Sequence, residues 1–158
     1  MNTKRCTVVK TLAAFASERG DHKMKLKGSC LCQAVSFSFE AQGESFGVCH
    51  CSMCRKWGGG PALAVHATGA INVSGEKHLS VYRSSNWAER GFCNQCGSNI
   101  FYRLQDQSFC AINLGTIQGH ETFQFVSQVF IDNKPQSYTF SNETHTMTEK
   151  EVMAKFGG

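Results

Sequence analysis

Proline is nearly absent from this chain, at 2 of 158 residues, and no segment shows a repeat or a biased composition. Proline-rich spacers and solenoid arrays are therefore excluded. No apolar run approaches the roughly 20 residues that cross a bilayer as a helix, so neither a transmembrane helix nor a membrane partner is expected. Acidic residues are outnumbered, 12 against 16 Lys and Arg, for a formal charge of +4. Apolar residues make up an ordinary 41 %, and 158 residues suffice for one domain with a hydrophobic core.

Cysteine is what the chain has in abundance. Seven of its nine cysteines fall in three tight clusters, Cys30-x-Cys32, Cys49-x-Cys51-x-x-Cys54 and Cys93-x-x-Cys96. The odd total, the poor suitability of Cys-x-Cys for mutual bonding and the lack of a clear signal peptide argue against a disulfide framework. Metal-bound thiolates in a reducing, cytoplasmic compartment are expected instead. The uneven partition matters most. Four thiolates complete one tetrahedral zinc site, and the other three leave a second zinc one ligand short, open for chemistry. Filled with zinc, the two sites would carry −2 and −1 and would reduce the formal +4 to +1. Charge thus gives little support for a nucleic-acid partner.

Residues 1–23 read as a loosely ordered N-terminal extension or an upstream start before Met24, because Leu12–Ala16 is their only apolar stretch and Lys10 just before it disfavours a signal peptide; a basic transit peptide is the alternative. Residues 24–158 read as the folded domain. There the pattern is mainly β. Val35, Phe37 and Phe39 alternate with polar residues, and short strands are expected at Ala62–His66, Ile71–Val73, Leu79–Arg83, Asn99–Leu104, Phe109–Leu114 and Phe123–Phe130. Thr148-x-x-Glu151 resembles a capping box that opens a short C-terminal helix towards Phe156.

Cys93-Asn94-Gln95-Cys96-Gly97 has the form of a metal knuckle, with Gly97 free to take positive φ. Cys30 and Cys32 share one face if the backbone is extended, with Gly28 helping it to bend. Their side chains can lean to the roughly 3.8 Å that separates sulfurs around a tetrahedral zinc. Uniting these two pairs would tie the start of the domain to its middle, and separate metals, or none, are the alternative. Cys49, Cys51 and Cys54 can grip one metal within six positions. His50 between them points away if the segment is extended. It reads as a non-ligand and as the leading candidate for a general base, although a structural site completed by His50, His66 or another residue is an equal alternative. Cys110 alternates with Ile112 and Leu114 as a core thiol, and Cys6 lies in the extension.

The run Gly28-Ser29-Cys30-Leu31-Cys32, then Cys49-His50-Cys51-Ser52-Met53-Cys54-Arg55, Tyr82-Arg83-Ser84-Ser85 and Phe92-Cys93-x-x-Cys96-Gly97-Ser98 resembles the GFA family. This is the family of glutathione-dependent formaldehyde-activating enzyme and centromere protein V. Val126–Asp132, Lys134-Pro135 and Thr148–Val152 extend the likeness from about Lys25 to the end. The resemblance implies a mainly antiparallel β fold like that of zinc-containing methionine sulfoxide reductases. It implies a structural zinc on Cys30, Cys32, Cys93 and Cys96, and a catalytic zinc on Cys49, Cys51 and Cys54. It further implies a carbon–sulfur lyase that condenses the thiol glutathione with the small aldehyde formaldehyde to S-hydroxymethylglutathione. The chain departs from the family pattern after Lys134-Pro135, where Gln136-Ser137 precede Tyr138.

Glutathione's carboxylates would want cations, and Arg55 foremost, with Lys56, Arg83 and Arg90, lies beside the motifs. Trp57 and Trp87 read as core residues before pocket walls. The competing class is a non-catalytic zinc-binding β module for protein interaction. A reductase working through a free cysteine is disfavoured, since the clusters consume all thiols but Cys6 and Cys110.

Overall fold

The polar–apolar alternation of the N-terminal half builds an antiparallel hairpin from β1 (Lys23–Ser29) and β2 (Ser36–Gln42), with Leu26 opposite Phe39 and Gly28 opposite Phe37. Phe37, Phe39 and Ala41 all point inward and are buried, as the period of two requires. The structure, a computed structural model, describes residues 22–156. Cys6 and nearly all of the expected extension therefore lie outside the described residues.

Further strands follow as β3 (Ser45–Cys49), β4 (Ala62–Ala67), β5 (Asn72–Ser74), β6 (Leu79–Arg83), β7 (Ala88–Cys93), β8 (Asn99–Leu104), β9 (Cys110–Asn113), β10 (Gln124–Val129) and β11 (His145–Met147). The main path runs β11-β10-β3-β4-β9-β8-β7-β6, and β2 joins it by pairing with β4 while also holding β1 and β5. The fold is mainly β, as expected. The sheet, however, is mixed rather than purely antiparallel, because β10 lies parallel to both β3 and β11. Residues 114–123 form a crossover through two 3-10 turns, carrying the chain from β9 past β4 and β3. Such a connection is what allows strands to run in one direction.

Two helices complete the fold. α1 (Ser52–Gly58) contains no buried residue, so it has no apolar stripe by which periodicity would announce it. α2 (Glu149–Phe156) opens on the expected box. The Glu151 carboxylate accepts from the Thr148 backbone N–H at 2.7 Å, and the Glu151 N–H donates to the Thr148 hydroxyl at 3.3 Å. The core gathers Val35, Phe39, Ile100 and Ile112, and it includes the sulfurs of Cys30 and Cys93.

Candidate metal centres

The first centre lies where two turns meet. Cys30 follows β1, but the segment is not extended: the Gln33 N–H donates to the Cys30 carbonyl at 3.0 Å, and Gln33 adopts φ 62°. A turn, not two side chains leaning along a strand, brings Cys30 and Cys32 Sγ to 3.6 Å. From the other side, Cys93 ends β7 and Gly97 takes φ 76° as its N–H closes the knuckle on the Cys93 carbonyl. Cys32 and Cys93 Sγ are 3.7 Å apart, and all four sulfurs lie within 4.8 Å of one another. These separations match the roughly 3.8 Å edge of a zinc–thiolate tetrahedron. The Leu31 N–H donates to the Ser98 hydroxyl at 3.0 Å, locking the two turns together. Hydrogen bonds from Ser98 pull the Cys96 thiol down to about 5, which favours the thiolate a metal needs. Gly28 serves close approach rather than bending. A Cβ there would collide with the Thr116 carbonyl and the Phe37 ring.

The second centre is assembled by a strand end and one helical turn. Cys49 ends β3 and Cys51 is the N-cap of α1, its sulfur accepting from the Cys54 N–H at 3.4 Å. The i, i+3 relation then puts Cys54 on the same side as Cys51. The three sulfurs lie within 4.8 Å of one another, and among the described residues no fourth Cys, His, Asp or Glu joins them. Hydrogen bonds from Cys49 and Cys54 bring the Cys51 thiol down to about 2, while the bond to Cys51 pushes Cys49 up. With a divalent ion and three thiolates, the net charge is again −1.

His50 does point away from the sulfurs. It is fully buried, its Nδ1 lies 2.9 Å from the Tyr138 hydroxyl, and its Nε2 lies 2.9 Å from Gln128 Oε1. Since Oε1 can only accept, Nε2 carries the proton and Tyr138 donates to Nδ1. Burial holds the ring below its usual pKa, and so neutral. Both nitrogens are committed, which removes His50 as a general base. His66, in β4, joins neither sulfur set, and its ring packs edge-on against Phe109 just before β9. Cys110 is the core thiol expected, pushed up to about 12 by burial.

The cations sort differently from expectation. Arg55 Nε donates to the His50 carbonyl at 2.9 Å, so its guanidinium is fixed beside the three-cysteine loop. Arg83 is exposed and donates to backbone carbonyls of its own turn, Ser85 and Asn86. Arg90 is 4 % exposed, not a surface anchor. It donates to Cys54 Sγ at 3.6 Å and lies over the rings of Tyr102, at 5.1 Å, and Trp57, at 5.8 Å. Trp57 is half-buried, stacked on Tyr82 and edge-on to Phe92. Trp87 is 58 % exposed and not a core residue. The spacing pointed to the sulfurs but not to the roles of Arg90, Gln128 and Tyr138. The available sign for Arg90 was a cation between tyrosines that become its cross-strand partners, Tyr82 and Tyr102. A surface groove of about 640 Å³ runs beside the first centre, lined by Leu31, Gln33, Asn99 and Asn113 among others. It holds none of the three-cysteine residues, and Cys30, its lining thiol, is committed to the four-sulfur set.

The sequence model of the GFA family, glutathione-dependent formaldehyde-activating enzyme, matches residues 25–133, which include every cysteine of both centres. The chain belongs to the GFA family. It is 35 % identical over 128 residues to an uncharacterised lyase of Schizosaccharomyces pombe, covering 80 % of this chain and 93 % of that one. It is 36 % identical over 87 residues to a Halomonas elongata protein provisionally named glutathione-dependent formaldehyde-activating enzyme, covering 49 % and 55 %. A crystal structure of a Rhodobacter sphaeroides protein superposes with TM-score 0.51 at 27 % identity, covering 59 % of this chain and 88 % of the other. In this GFA chain both all-sulfur sets suit a soft or borderline-soft ion, and their spacing is consistent with zinc. No helix among the described residues is long and apolar enough to cross a membrane.

Proposed function

We propose that the chain is a zinc-dependent carbon–sulfur lyase that joins a small thiol to a small aldehyde and reverses the reaction, with glutathione and formaldehyde as the pair. The observation that carries this reading is the three-sulfur set of Cys49, Cys51 and Cys54, which lacks a fourth protein ligand among the described residues. The same ion at Cys30, Cys32, Cys93 and Cys96 would be structural. A zinc held by three thiolates would accept the substrate sulfur as thiolate.

That deprotonation is a modest part of the rate. A thiol of pKa near 8.5 is a few per cent ionised at pH 7, so full ionisation gains at most about 30-fold. Lower basicity then returns part of the gain. Holding thiol and carbonyl in contact can be worth up to about 7–11 kcal/mol, and that is the task of the surrounding residues. Arg55, fixed through Nε on the His50 carbonyl, would anchor a glutathione carboxylate with its remaining N–H groups. The Tyr138–His50–Gln128 chain holds the Cys49–Cys51 loop in one geometry.

Exchange NMR of glutathione with formaldehyde, with and without zinc-loaded protein, tests the proposal. Interconversion should accelerate with wild type and fall back to the buffer rate with Cys51→Ser. Unchanged exchange with fully loaded wild type would leave the non-catalytic zinc module as the function.

A further inference from the structure

Arg90 is a buried guanidinium without a carboxylate. Among the described residues the carboxylate ion pairs are Lys23–Glu40 and Arg103–Glu89, and neither involves it. Arginine does not shed its proton in a protein, so burial demands a compensating anion. The group within reach is Cys54 Sγ, at 3.6 Å, which becomes an anion when the three-cysteine set holds a metal. The placement is over-determined. Cys54 and Trp57 lie three positions apart on α1 and both meet the guanidinium, while Tyr102 of β8 covers its other contact. Two aromatic faces suit a planar, weakly hydrated cation and would suit an ammonium less well.

We propose that Arg90 is a specificity-determining positioning residue of the three-cysteine centre, biasing its open position toward an anionic sulfur donor over a neutral one. This rests on the reading of that centre as a metal site with an open position. A divalent ion on three thiolates is one unit negative. A thiolate in the open position would make it two units negative, whereas water or imidazole would leave it unchanged. Arg90 offsets one of these charges, so it attracts the incoming thiolate and is nearly indifferent to a neutral donor. A centre without it would still bind metal but would discriminate less between thiolate and imidazole. Because the effect is differential, it is separable from any general contribution of Arg90 to folding.

Cobalt(II)-loaded protein provides the test, since sulfur-to-cobalt charge-transfer bands report each added thiolate. Wild type, Arg90→Met and Arg90→Lys are titrated with 2-mercaptoethanol, which carries no other charge, and separately with imidazole. Arg90→Met should bind the thiol about tenfold or more weakly than wild type, and imidazole within about twofold. Arg90→Lys should recover most of the thiol affinity. An unchanged thiol-to-imidazole ratio in Arg90→Met would overturn the proposal. If Arg90→Met loses the wild-type circular dichroism, Arg90→Gln replaces it; failure of both to fold while Arg90→Lys folds would assign the residue to stability alone and overturn it as well. Wild type that takes up a single cobalt, or responds to neither ligand, would instead refute the open metal site itself.

Discussion

His50, fully buried, and His66, half-buried, illustrate how an imidazole acts when it is neither ligand nor base. His50 receives a hydrogen bond from Tyr138 and gives one to Gln128, which passes the chain on to the Thr144 hydroxyl at 2.8 Å. Tyr138→Phe removes the donor and should lower stability by about 1 kcal/mol in urea unfolding, with both metal sites retained. His66 is held down to about 4 by burial. The unfolded chain therefore takes up a proton near pH 6.5 that the folded chain refuses until about pH 4. Stability from this residue is complete above pH 6.5 and declines as pH falls through that window. At pH 5 the loss is about 2 kcal/mol at most, because the ring keeps some solvent contact. In urea titrations at pH 7.5 and pH 5, His66→Phe should lose less stability than wild type by up to about that amount. Equal losses would show that His66 titrates normally.

At the scale of elements, two glycines near the first centre act for different reasons. Gly28 lies in β1 at a point where the hairpin meets the 3-10 turn of residues 114–116, and a methyl group would strike the Thr116 carbonyl and the Phe37 ring. Backbone on one side leaves little room to yield. Gly28→Ala should therefore cost about 1–3 kcal/mol and weaken metal retention at Cys30 and Cys32. Gly97 faces open space, and only its φ of 76° resists a side chain. Gly97→Ala should cost about 1 kcal/mol, the penalty for a left-handed non-glycine residue. Thermal denaturation of the two variants, with metal content measured in parallel, separates the mechanisms.

Across the whole molecule the two centres differ in the length of chain they close. The first bridges Cys32 to Cys93, 61 positions apart, and joins the β1–β2 turn to the β7–β8 turn. Cross-linking a loop of that length removes about 4 kcal/mol of unfolded-state entropy in the chain-entropy model. The second centre spans only Cys49 to Cys54, so its loop-closure term is small. Cys32→Ser or exhaustive chelation should thus lower Tm by about 10 °C or more, whereas Cys51→Ser should shift it by a few degrees. Similar shifts for the two single variants would contradict this division of labour. The parallel β10 crossover contributes to the second centre in another way, because Gln128 and the Val129 carbonyl, which accepts from the His50 N–H, both come from that strand.

The partition of sulfurs into four and three was legible before any coordinates, as were β2, the strands β4, β8 and β9, the C-terminal helix and the family. Ligand spacing, side-chain alternation and capping boxes are local properties, written within a few residues of one another. The helix α1 was not legible, since a seven-residue helix with no buried face leaves no periodic trace. Nor was the mixed sheet, which depends on where a ten-residue crossover lands. The partners of His50 stand 78 and 88 positions away, and Cys54 meets Arg90 across 36. Charge compensation and hydrogen-bond satisfaction at such separations are decided only when the strands pack. The grouping of the sulfurs was therefore written in their spacing, and the charge and rigidity around them were decided by the tertiary structure.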